Sequence, residues 1–353
     1  MRGNWQLVAL VVSVSVGGTF LPPPKANAQS YNWVTVSQLE ANNSDGSSLF
    51  ATQHSGLYPS ELVGVVVNKP RDMLNYTYDS SSNPSPQFQV FVQALSSGGT
   101  YGGYTVAPGD FGGVAVYESM TFAWGDPTVS NFSPADWATE VTRIGASTLS
   151  VGDVVLVQAK APGMFYNGKY NINTQHNTSP NNQFSITVLG QTTPTATPIT
   201  LSALESAPVT LFNMYTTSNY IFDSTRATGD EHYQGSLVHL DNLLLTDPQD
   251  WGLGNTVLVS QGSLTFPMQV GLDPGLSSLD PNSLASNPFS VTAILDQEGG
   301  NYKAGYSLWL TGASNLSTVP EPGSLVLLVT AGVAALAFGR RRIARRLARL
   351  VCC

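Results

Sequence analysis

Between Tyr31 and Thr318 the chain is a succession of short apolar runs separated by clusters of Gly, Pro, Asn, Asp and Ser, and no stretch sustains the period of an amphipathic helix. The run Gln87 to Leu95 is the clearest: Phe88, Val90 and Val92 alternate with Gln87, Gln89 and Gln93. A period of two belongs to a strand with one face in a core and the other in water. The same reasoning predicts strands at Glu61 to Asn68, Gly112 to Glu118, Asp153 to Lys160 and Gln183 to Leu189, the fourth entered through a tight turn at Gly152-Asp153. A second set is predicted at Tyr233 to Leu245, Asn255 to Gln261, Leu264 to Val270, Phe289 to Asp296 and Tyr302 to Thr311, with Gln261-Gly262-Ser263 as a hairpin turn.

The two sets are separated by residues 191–200, where Thr-Thr-Pro-Thr-Ala-Thr-Pro-Ile-Thr predicts an extended, weakly packed connector. The expected fold is therefore all-β, with modules at 29–190 and 201–314. In the second set, a long strand, a hairpin, a long loop and two further strands follow the order of a five-stranded Greek-key barrel, and the first set repeats the plan. A pair of β-sandwiches would share the alternation and turn density. The phrases Glu61-Leu62-Val63-Gly64-Val65-Val66-Val67, Leu149 to Val154 and Tyr233-Gln234-Gly235-Ser236-Leu237-Val238 resemble the tandem OB-fold modules found beside nuclease or phosphoesterase domains in secreted bacterial proteins. That resemblance implies two consecutive OB-like barrels.

The ends read as addresses. Arg2, the apolar run Leu7 to Leu21, Pro22-Pro23-Pro24 and the small-x-small site Ala26-Asn27-Ala28 form a signal peptide over 1–28, cleaved after Ala28. Residues 315–353 carry Val319-Pro320-Glu321-Pro322, an uncharged run and then Arg340, Arg341 and Arg342. At 1.5 Å per residue the helix from Gly323 to Gly339 would be about 26 Å long, close to the roughly 30 Å of a bilayer's hydrocarbon layer. The arginines after it place the C-terminus in the cytoplasm and the bulk of the chain outside. This order resembles the PEP-CTERM sorting signal of Gram-negative bacteria. The resemblance implies a precursor held transiently in the inner membrane by one transmembrane helix, processing by an exosortase-type enzyme, and delivery to the cell surface or extracellular matrix. Because such proteins tend to occur in bacteria that make exopolysaccharide, it also implies a sugar polymer as partner.

Charge narrows the partners further. The full chain has 15 Lys and Arg against 23 Asp and Glu; without Arg2, Lys25, the six tail arginines and Glu321, the exported part keeps 7 against 22, a net charge near −15. A surface of that sign repels phosphate backbones, so nucleic acid is a disfavoured partner. Both cysteines, Cys352 and Cys353, follow the basic stop, so no disulfide braces the exported region.

Catalytic chemistry is hard to find. The histidines His54, His176, His232 and His239 form no zinc motif, there is no Gly-x-Ser-x-Gly elbow, and no pattern calls for a cofactor. Asp230-Glu231-His232, with Asp241 beyond, is the nearest approach to a divalent-cation cluster, and it supports the alternative of a secreted phosphoesterase-like hydrolase or its accessory subunit. Aromatics are the stronger lead. Phe91 and Tyr117 fall, by strand parity, on the faces opposite the presumed core residues, while Tyr76, Tyr78, Tyr101, Tyr104, Phe165, Tyr166 and Tyr170 lie in flanking loops. The resulting expectation is a non-enzymatic surface protein of binding or assembly type, with Phe91 and Tyr117 as candidate ligand contacts.

Overall fold

The computed structural model describes residues 30–54, 57–121, 132–145, 148–161, 163–299 and 301–318. The expected signal peptide with Ala26 and Ala28, the Val319 to Pro322 motif, the apolar run and Arg340 to Arg342 lie outside the described residues. Among the described residues no helix is long and apolar enough to cross a membrane.

Six strands organise the first module: β1 Ser60–Val66, β2 Gln87–Ala94, β3 Gly113–Ser119, β4 Asp153–Ala159, β5 Lys169–Ile172 and β6 Phe184–Gln191. Five organise the second: β7 Leu237–Leu245, β8 Thr256–Gln261, β9 Leu264–Val270, β10 Phe289–Gln297 and β11 Tyr306–Leu310. In the second module the ring runs β7-β8-β9-β11-β10 and returns to β7, with β9 and β11 parallel and the other pairs antiparallel. It is a closed, OB-like five-stranded barrel. Closure depends on β7 serving two partners: Leu237 to Leu240 pair with β10, the register shifts before Leu243 meets Phe289, and Leu244 and Leu245 pair with β8. Asn242, at φ +57°, makes the bend at that shift.

The first module repeats the order β4-β1-β2-β3-β5, again with a parallel pair between its third and fifth members, but β4 and β5 are not paired. The edge of β4 is occupied by β6, and the edge of β5 by the short strand Met164–Tyr166. The expected second barrel is thus an open sheet. The run expected as its fifth strand, Gln183 to Leu189, became the outer strand β6, and the slot parallel to β3 fell to four residues, Lys169 to Ile172, whose alternating polar side chains gave no apolar signal. A ten-residue helix, Pro134–Arg143, was also missed; it is capped by Ser133 and Asp136 and buries only Trp137 and Glu140, too few positions for a helical period.

Each module has its own core. Phe88, Val90, Val92, Val114, Val116 and Trp137 centre the first, and Leu240, Val257, Phe266, Met268, Leu295 and Tyr306 the second. A third cluster is shared: Val67, Met73, Phe91 and Ala115 from the first module meet Leu237, Ile294 and Trp309 from the second. The face of β2 expected in water is therefore covered. Gln93 donates to the Thr195 carbonyl at 2.8 Å and accepts from the Leu237 amide at 2.9 Å, so its amide replaces water at the junction. The connector is pinned as well, since Thr197–Ile199 forms a parallel pair with Val238 to Leu240 of β7.

Backbones touch where the modules meet. Gly113 donates to the Gln234 carbonyl at 2.8 Å, and Gly235 donates to the Leu295 carbonyl at 2.7 Å. A Cβ on Gly113 would lie 1.9 Å from the Gly235 oxygen, a distance that only movement of the two chains can relieve. Gly113→Ala is expected to destabilise the protein by about 2 kcal/mol or more in urea unfolding, the upper range of an overpacked contact; an unchanged midpoint would show that this approach is not constrained.

Candidate functional site

The hairpin Met164–Tyr166, Asn167-Gly168, Lys169–Ile172 positions the site. Asn167 and Gly168 have φ of +52° and +95°, the left-handed pair that a two-residue hairpin turn requires. The turn is held against the second module: the Gln234 side chain donates to the Gly168 carbonyl at 3.1 Å and to Gln297 Oε1 at 2.6 Å. Between this hairpin, the ends of β2 and β3, and strands β10 and β11 lies a cleft of about 450 Å³.

A buried charge cluster forms part of its wall. Lys169 Nζ sits 2.5 Å from Asp296 Oδ1, Gln89 Nε2 donates to Asp296 Oδ2 at 2.8 Å, and the ammonium lies 5.5 Å from the centre of the Phe91 ring. Two strands of the first module thus converge on one carboxylate of the second. Above them the lining is mostly amide and aromatic: Gln87, Asn167, Asn171, Gln269 and Gln297, with Tyr117, Tyr166 and Trp309. Trp309 is only 3% exposed, and its indole N–H meets no acceptor among the described residues. A buried donor without a partner is costly.

The far wall is braced by strain and charge. Gln175 and His176 are consecutive non-glycine residues at φ +54° and +55°, each costing of order 1 kcal/mol. Glu118 holds them: His176 Nδ1 lies 2.9 Å from Glu118 Oε1 and 3.1 Å from the Ser119 carbonyl, and Thr174 donates its amide to Glu118 Oε2 at 2.8 Å. Burial disfavours the imidazolium, but the hydrogen bond and charge of Glu118 outweigh it and raise the His176 pKa. The imidazole meets the Tyr117 ring edge-on at 6.2 Å. Burial pushes the Tyr117 hydroxyl up to about 12, so it remains a neutral donor, bonded to Gln87 Oε1 at 3.3 Å.

Of the two predicted contacts, Tyr117 lines this cleft, whereas Phe91 is buried beneath Lys169 in the shared core. Strand parity placed both side chains correctly on the outer faces, but it carried no information about the module covering Phe91. Lys169, Gln89 and Trp309 were not singled out from sequence. The available signal was Tyr166-Asn167-Gly168-Lys169, an Asn-Gly dipeptide between alternating residues.

Asp230 and Glu231 are fully buried at the module junction. Glu231 accepts from Asn42 and from the Tyr306 hydroxyl, and Arg226 lies 3.7 Å away while donating to the Glu40 carbonyl at 2.6 Å. Among the described residues no group of three or more His, Cys, Asp or Glu is arranged to hold a metal ion. His232 stacks on Phe111, His54 stacks on Tyr58, and His239 pairs with Asp241 at 3.3 Å, so the four histidines are dispersed.

Residues 318–342 match the PEP-CTERM protein-sorting motif. The motif marks an exported surface protein with a C-terminal membrane-anchor tail, processed by an exosortase-type enzyme. No curated protein sequence matches the chain. Solved structures with some likeness include the tetrameric p202 HIN2, at 9% identity over 75% of this chain and 96% of that one with a TM-score of 0.23. A Replication Protein A heterotrimer bound to ssDNA matches at 9% identity over 86% of this chain and 72% of that one, with a TM-score of 0.19.

The junction carboxylates generate a pH dependence. Burial raises Glu40 to about 8 and Glu231 to about 7, with Arg226 opposing the rise in both, and it raises Asp230 well above the usual range. Acids whose folded pKa exceeds the unfolded value contribute full stability below the unfolded value, near 4.5, and lose it as pH rises through the folded one. His176, also raised, acts in the same direction. Thermal unfolding of the full chain in detergent is expected to give a higher Tm at pH 5 than at pH 8.5, a difference on the order of 5 kcal/mol in stability; a higher Tm at pH 8.5 would contradict this protonation pattern.

Proposed function

We propose that this is a non-enzymatic surface protein that holds an exopolysaccharide segment in the cleft between its two β modules. On this reading, residues 1–28 direct export and are removed after Ala28. The run from Gly323 to Gly339 then anchors the precursor in the inner membrane until an exosortase-type enzyme acts near Pro320-Glu321-Pro322. The modules at 29–190 and 201–314 are the working part, and their short apolar phrases fit a relationship to the tandem OB-fold modules of secreted bacterial nucleases and phosphoesterases, without the catalytic domain.

The observation that carries the reading is the lining of the cleft. Sugars present hydroxyls on their edges and weakly polar C–H faces, which call for amide side chains and aromatic rings together. The cleft supplies Gln87, Asn167, Asn171 and Gln297 with Tyr117, Tyr166 and Trp309, in a volume within the usual range for small ligands. Tyr166, 40% exposed, offers an open ring face on which a sugar's C–H face can pack.

Titration calorimetry of the full chain in detergent against a panel of bacterial exopolysaccharides tests the proposal. Binding without turnover is expected. Tyr166→Ala, which removes an exposed ring from the lining, should weaken binding about tenfold, the effect of one lost stacking contact. Equal affinity of the variant, or release of reducing ends or phosphate that a chelator abolishes, would count against it; the second result would favour a metal-dependent hydrolase.

A further inference from the structure

Resting on that reading of the cleft, we infer that the site extends beyond it into a track that takes the interior of a linear, uncharged polysaccharide rather than a chain end or an acidic polymer. A second cavity, of about 400 Å³, adjoins the cleft and is lined by Asp45, Phe165, Tyr166, Asn167, Asn301 and Tyr302. Tyr166 and Asn167 line both. The tip of the Asn167-Gly168 turn is therefore a sill shared by two compartments, and a ligand long enough to fill both must pass over it.

The sill is rigid and aromatic. The turn is fixed to the second module through Gln234, and the Asn167 side chain reaches the Glu298 carbonyl at 3.5 Å. Tyr166 and Tyr302 are 40% and 44% exposed, and the Phe165 and Tyr302 rings lie 5.5 Å apart across the module boundary. Tyr117 in the cleft, Tyr166 on the sill and Tyr302 in the second cavity thus supply one ring for each part of the path. Both cavities open to solvent, so neither demands a chain terminus.

Charge decides which polymer. Lys169 is neutralised by Asp296, and His176 faces Glu118. Beside the second cavity, Lys303 donates to the Ser44 carbonyl at 2.6 Å and lies over the Phe222 ring at 4.8 Å. Lys303 keeps its charge there, since a neutral carbonyl and a ring do not cancel it, and Asp45 in the second cavity is its nearby carboxylate, while Glu298 adds an exposed carboxylate in the cleft. A uronate, sulfate or phosphate group would meet Asp296, Glu118, Glu298 and Asp45 against Lys169, His176 and Lys303, a balance that favours no added anion.

The test is a length series. Unbranched oligomers of glucose, mannose, galactose and N-acetylglucosamine, and acidic oligomers of galacturonate and mannuronate, each of one to six units, are titrated into the full chain in detergent. For at least one uncharged series the affinity should rise about tenfold between the disaccharide and the hexamer, while both acidic series bind more weakly. Tyr302→Ala should abolish that rise and leave disaccharide binding unchanged. A disaccharide that binds as tightly as the hexamer, a preference for an acidic series, or an unaltered rise in Tyr302→Ala would overturn the track and leave the cleft reading standing. Failure of every member to bind would overturn both.

Discussion

The buried carboxylate of Asp296 ties the two modules together at the cleft. It accepts from Lys169 at 2.5 Å and from Gln89 at 2.8 Å, both on the other module, and is itself fully buried. Burying this ammonium and carboxylate removes both from water, a cost that only close pairing and further hydrogen bonds offset. Strands β2, β5 and β10 must therefore arrive together. Apolar contacts in the shared cluster supply much of the attraction between modules, but they are tolerant of small slips. The ion pair is not, so it sets the relative position that the cleft requires.

The site follows from that position. Neither module contains the cleft alone: Tyr117 and Lys169 come from the first, Gln297 and Trp309 from the second. The same docking explains why so many polar side chains are buried without being catalytic. Gln89, Gln93 and Gln234 each bond across or along the junction, and the Glu40, Asp230 and Glu231 group is accommodated by protonation and by Arg226. Polar density here is a property of an interface between two β layers.

The sequence disclosed strands better than it disclosed what covers them. Leu264 to Val270 was legible to the residue because Leu264, Phe266, Met268 and Val270 alternate cleanly and Gly262 marks the turn. Lys169 to Ile172 was not, since only Tyr170 and Ile172 face the first module's core, too short an apolar alternation to read, while Lys169 on the other face meets an acid from the second module. Gln89 and Gln93 read as solvent-facing because a glutamine that bonds to a neighbouring domain looks the same in sequence as one that bonds to water. Phe91 was placed on the right face and given the wrong neighbour for the same reason. The barrel of the second module was anticipated by strand order, yet whether a ring closes depends on a bend at Asn242 and on which strand claims an edge, features that periodicity does not encode.

The most direct measurement is a double-mutant cycle across the junction, with Lys169→Met, Asp296→Leu and the pair unfolded by urea in the full-length protein. Each single change should cost about 3–5 kcal/mol by leaving a buried charge unpaired, and the double change should cost far less than their sum. Additive effects, or single variants as stable as the parent, would contradict the claim that this ion pair joins the modules and shapes the cleft.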